Sequence, residues 1–163
     1  MSKIIFYNDT GFPYSVLAAA IRSGLLPKDR LPEKRELLDV LQRCGMGKGN
    51  ATVFDLGDGL GKEACLALWS RGDGDMTGRI IKSFLALFQK KDYLLVRLEY
   101  KRTYLLGAGV ILSRVPGLSP VGHQLIHWAV NSVYRKLLET AEKTPNATLS
   151  TRASGSSCFG SYK

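Results

Sequence analysis

The chain has 163 residues, 45% hydrophobic and 9% aromatic, enough to bury a core in one globular domain and too apolar for a disordered chain. A formal net charge of +9 favours an anionic partner, but acidic residues are mixed among the basic ones, so specific nucleic-acid binding is not expected. The opening residues lack the apolar core and cleavage site of a secretory signal, and the longest apolar stretch, Tyr104 to Leu112, falls well short of the roughly 20 residues of a membrane-spanning helix.

Residues 3–8 begin with Lys3-Ile-Ile-Phe6, an apolar run expected to form a short strand buried on both faces. The polar loop Asn8-Asp-Thr-Gly-Phe-Pro-Tyr-Ser15 follows. Residues 14–24 then carry Val16, Leu17, Ala20 and Ile21 at helical spacing, with Gly24 as the stop. A connector bounded by Pro27 and Pro32 leads to a second helix over residues 33–43, with Leu37, Leu38 and Leu41 on its inner side.

After a loop at 45–50 the period changes to two. Residues 52–56 and 64–69, separated by Gly57-Asp-Gly-Leu-Gly-Lys62, read as an antiparallel hairpin. Gly72-Asp-Gly74 opens a helix running from residue 75 or 76 to about residue 89, for which Ile80, Ile81, Phe84, Leu85, Leu87 and Phe88 are the expected packing surface. Residues 92–98 form the last strand. A short helix over 103–114 contains Gly107 and Gly109, which disfavour helix unless close packing requires them. The longest helix starts at Ser119-Pro120, serine as the cap and proline at the first helical position, and runs to about residue 143. Residues 146–163, rich in serine, threonine, glycine and alanine, read as a flexible tail after a single domain over residues 1–144.

The expected fold class is α/β: a small, mostly parallel sheet with an antiparallel hairpin, helices on both faces, in a three-layer arrangement similar to Rossmann and P-loop domains. Cys44, Cys65 and Cys158 are odd in number and have no CxxC spacing, so reduced thiols in a cytoplasmic protein are expected, with Cys65 in the core and Cys158 exposed.

No complete catalytic motif is present. Gly57 to Lys62 joins glycines to a lysine, yet Leu56 stands where a P-loop needs glycine and Glu63 where it needs a hydroxyl. His123-Gln-Leu-Ile-His127 puts two imidazoles one helical turn apart, but Gln124 replaces the general-base glutamate of a zinc protease and no third ligand is evident, so no metal is expected.

The first loop is the better candidate, because ligands of open α/β sheets gather at the carboxyl ends of strands. Gly11 can take positive φ, and Thr10, Ser15 and amides at the helix start can meet an oxyanion. Asp9 opposes a phosphate, so a counter-charge such as Arg30 is needed. Equally, Asn8, Asp9 and Thr10 can serve only to satisfy the backbone of a sharp turn. The candidate ligand-binding residues are therefore Asn8, Asp9, Thr10, Gly11, Ser15 and Arg30, for a small phosphate- or nucleotide-like anion. The cofactor and any catalytic residue stay unassigned. The other function class is a non-enzymatic interaction protein that uses its basic surface and C-terminal helices, with Leu125, Trp128, Ala129, Val133 and Leu137 facing a partner or a second copy.

Ile4-Ile5, the Ser15-Val16 helix start with Ala18-Ala19-Ala20-Ile21, Gly24-Leu-Leu-Pro27, Asp29-Arg-Leu-Pro32, Leu112-Ser-Arg114 and Gly122 occur in an order and spacing that resembles a bacterial family of unknown function, domain family 3189, from spore-forming Firmicutes. The resemblance covers most of residues 3–138. It implies a first loop with a cysteine, a glycine pair and a histidine followed by serine. Here Asn8 holds the cysteine position, Thr10 and Gly11 the glycines, Pro13 the histidine position, and Ser15 is kept. The resemblance thus implies a member whose loop lacks the thiol and the imidazole, with a link to sporulation by family context and no established reaction.

Overall fold

The computed structural model describes residues 3–44, 52–59, 62–89, 92–100 and 103–144. The expected 45–50 loop and 146–163 tail, the latter with Cys158, lie outside them. Four strands, β1 (Lys3–Asn8), β2 (Thr52–Asp58), β3 (Ala64–Trp69) and β4 (Tyr93–Arg97), form one open sheet in the order β2-β3-β1-β4. β1 runs parallel to both β3 and β4, and β2 pairs antiparallel with β3. Five helices among the described residues complete the α/β fold: α1 (Tyr14–Ser23), α2 (Lys34–Arg43), α3 (Gly74–Leu87), α4 (Tyr104–Leu112) and α5 (Ser119–Lys143).

The central place of β1 explains its unbroken apolar run, since a strand with neighbours on both edges and helices over both faces has no side left for water. Ile4 and Phe6 join Cys65, Ala67 and Trp69 in the main core. That core is closed by α1, whose residues from Tyr14 to Arg22 are all buried. The alanines at 18–20 are fully buried where this helix packs against both the sheet and α5. Ile5 and Tyr7 point the other way, and the Tyr7 hydroxyl meets α3 where Gly78 leaves room for it. Winding from β1 to β3 and back past β1 to β4 places the connecting helices on opposite faces when each crossover is right-handed.

α3 covers its face less than its sequence promises. Only Gly74 and Gly78 are buried along it, while Ile80, Phe84, Leu87 and Phe88, expected to pack, are exposed. The helix approaches through its glycines, so its apolar side opposite them turns outward. The expected hairpin pairs β2 with β3, but β2 continues to Asp58, so Gly57, at positive φ, lies at an irregularity in the pairing rather than in the turn; Lys62 is also at positive φ, and residues 60–61 lie outside the described residues. α2 starts with a capping box in which Glu33 and Glu36 exchange backbone bonds. At α5, Leu118 rather than Ser119 takes the cap position and no side chain caps the helix. α4 and α5 cross closely enough that a Cβ on Gly122 would lie 2.7 Å from the Leu112 carbonyl carbon.

Candidate functional site

The carboxyl ends of β1, β3 and β4 meet at one edge of the sheet. Chain pairing continues beyond the strands there: Ser70 N donates to Asn8 O at 2.9 Å, Gly11 N to Ser70 O at 3.0 Å, and Thr10 and Arg71 form an antiparallel bridge. The loop after β1 and the Gly72-Asp-Gly74 turn therefore form one continuous rim.

Asn8 organises the first loop from beneath. Its Nδ2 donates to Thr10 Oγ1 at 2.8 Å and to Phe12 O at 2.7 Å, while its Oδ1 accepts from Ser15 N at 3.0 Å, which satisfies an amide of the first turn of α1. Asn8 and Ser15 are both fully buried, and Ser15 Oγ has no hydrogen-bond partner among the described residues. Gly11 takes φ 68°, as the turn requires. Asp9, Thr10 and Gly11 remain partly exposed.

Two arginines that sequence reasoning passed over stand on this rim. Arg97, at the end of β4, is 3.4 Å from Asp9, forms a short ion pair with Asp75 and lies 3.5 Å from Glu99. Burial works against its charge, but Asp75, Glu99 and Asp9 together outweigh it and raise its pKa. Burial also raises the Tyr7 hydroxyl pKa, opposed by Arg97. Gly74 permits this crowding, since a Cβ there would collide with Asp9 and come within 2.8 Å of Arg97 Nη2. Arg71 lies over Gly11, its Nε 3.2 Å from where a Cβ would be, and forms no ion pair among the described residues. A charged residue closing an apolar strand, and one just before a Gly-Asp-Gly turn, were the signals available for them.

Asp73 caps α3 by accepting from Asp75 N at 2.8 Å. Arg30 sits apart from this rim. It follows α1, pairs bidentately with Glu36 at 2.6 and 3.0 Å, and lines a cavity of about 400 Å³ with Lys28, Asp29, Tyr134 and Arg135. Its bond to Glu36 raises the Arg30 pKa and, with the Glu33 backbone, lowers that of Glu36. His127 Nε2 lies 3.1 Å from Pro32 O and 3.2 Å from Asn131 Nδ2. Among the described residues no group of three or more His, Cys, Asp or Glu side chains is placed to hold a metal ion.

The topology is that of an open, doubly wound α/β domain, in which the winding reverses between β1 and β4. The chain matches the model of the family described as protein of unknown function (DUF3189) over residues 3–146, and it belongs to that family. No curated protein and no solved structure gives a significant match. No described helix is long and apolar enough to cross a membrane.

Proposed function

We propose that the protein binds a small anionic, phosphate- or nucleotide-like ligand across the loops that follow β1 and β3, in the cytoplasm and without strong catalysis. The observation that carries this reading is the Arg71 guanidinium lying over Gly11 with no ion pair among the described residues, on the rim that the carboxyl ends of β1 and β3 share. Asp9, Thr10 and Gly11 form the wall of the site, and Asn8 and Ser15 shape it from below. Arg97 supplies a second cation once the anion displaces Asp75, an exposed partner that is held weakly against water. Arg30 stays outside. The absence of a cysteine at position 8 and of a histidine at position 13 supports binding over covalent or acid–base chemistry.

Thermal unfolding in inorganic phosphate and in nucleotides tests the proposal. A saturating ligand raises Tm by about 5 °C or more. Arg71→Ala removes the rise, and Gly11→Val abolishes it by crowding the Arg71 side chain, whose Nε lies 3.2 Å from where a Cβ would be. No rise at millimolar ligand, or an equal rise in Arg71→Ala, overturns the reading.

The second reading, an interaction protein linked to sporulation, draws on Trp128, which is exposed on α5 while Ala129 and Leu137 of the same helix are buried. Light scattering tests its homo-oligomeric form, which a strict monomer removes.

A further inference from the structure

α4 carries no charge along Tyr104–Leu112 and only Leu106 and Gly109 are buried, although a helix apolar all round belongs inside a protein or a lipid phase. Tyr104 is 98% and Ile111 64% exposed. The turn after it departs from the polar composition of surface turns, since Val115 and Leu118 flank Pro116-Gly117 with their side chains in water. Val121 and Trp128 continue the exposed apolar surface along one side of α5. Together they make a patch that water alone does not explain.

Charge identifies what covers it. From Tyr100 to Leu138 the sequence holds five Lys and Arg residues and not one Asp or Glu. Arg114 is exposed beside the turn, and Lys34 Nζ reaches Pro120 O at 3.5 Å, adding a cation at the start of α5. A second copy docked here would bring like charges together with no carboxylate from this segment to pair them. An anionic bilayer meets both demands, taking apolar side chains into its interface and basic ones against its headgroups. Tyr104 and Trp128 are the residue types that sit at such an interface.

We infer that the α4–α5 hairpin is a peripheral membrane-docking tip, which inserts Val115, Leu118 and Val121 into the interface of an anionic lipid surface without crossing it. This is independent of the ligand site proposed at the loops that follow β1 and β3.

Sedimentation of the full chain with vesicles tests the inference. The protein is expected to sediment with mixed phosphatidylglycerol and phosphatidylcholine vesicles, and about tenfold more weakly with phosphatidylcholine alone. Val115→Asp with Leu118→Asp weakens binding by about tenfold or more, a loss far larger than its effect on Tm, because the two side chains are 40% and 45% exposed. Trp128 emission shifts to the blue on binding, whereas Trp69, 5% exposed, stays constant. The inference is overturned by equal binding by the double variant, by a dimer that the double variant dissolves, or by no sedimentation with either vesicle, which leaves an acidic protein as the cover. Loss of binding on Ile80→Asp alone also overturns it, since that assigns the contact to α3.

Discussion

Arg22 and Glu63 form an ion pair at 2.9 Å with 4% and 1% of their side chains exposed, joining the last turn of α1 to the residue before β3. Arg22 Nη1 also donates to the carbonyls of Ala141 and Thr144 at 2.9 and 3.1 Å, so one guanidinium fastens the end of α5 to the same corner. Removing one partner leaves a buried charge uncompensated. Arg22→Ala and Glu63→Ala are each expected to cost about 3–5 kcal/mol, measured by urea unfolding. The double change to Met and Leu should cost less than the sum of the two.

Asn8 is a structural residue of the loop after β1. Asn8→Ala strips Phe12 O and Ser15 N of their partner in a buried place, at a cost of about 1–3 kcal/mol. Asn8→Asp should be worse, because a carboxylate would replace the donor facing Phe12 O. Equal stability of the two variants would refute this account of the loop.

Gly122 sets the distance between α4 and α5. Gly122→Ala drives a methyl into the backbone of Leu112 and Ser113, which cannot yield as a flexible side chain does. A loss of about 1–3 kcal/mol is expected, with α4 the first helix to exchange its amide hydrogens. Gly117→Ala meets no atoms, and its cost should come only from its φ of 85°.

Alkaline pH should weaken the fold in two steps. Burial, with Glu63 nearby, pushes the Cys65 thiol up to about 11 from 9.0, so the unfolded chain loses this proton first and stability present below pH 9 falls as pH rises towards 11. Burial pushes Tyr134 up to about 12 in the same way, and its hydroxyl donates to Pro27 O at 2.6 Å. Cys65→Ala should flatten the first part of the decline and Tyr134→Phe the second, in unfolding followed against pH. Cys44, whose pKa burial also raises, and Cys65 should label slowly with thiol reagents at pH 8 until the chain unfolds.

Local physics made most of the fold legible. The Ile4-Ile5-Phe6 run, the glycine at 24 and the glycine-rich turn at 57–62 each specify their element through neighbours in the chain. What escaped depends on distant partners. Arg22 reads as a surface residue until Glu63, Ala141 and Thr144 surround it, and Arg71 and Arg97 acquire their place only when β1 lies between β3 and β4. The apolar period of α3 marked a helix correctly, but periodicity cannot tell which side faces the sheet when glycines make the contact. At the first loop, the choice between turn and site could not be made from residue types, because Asn8 has the chemistry for both. The structure shows it serving the turn.

The middle position of β1 also orders events in time. This strand leaves the ribosome before either neighbour exists, since its pairing surfaces wait for Ala64–Trp69 and then for Tyr93–Arg97. Its edge N–H and C=O groups therefore lack partners through much of synthesis, the interval in which unpaired strands are prone to mispair or to recruit chaperones. The earliest strand made is the last to be fully enclosed.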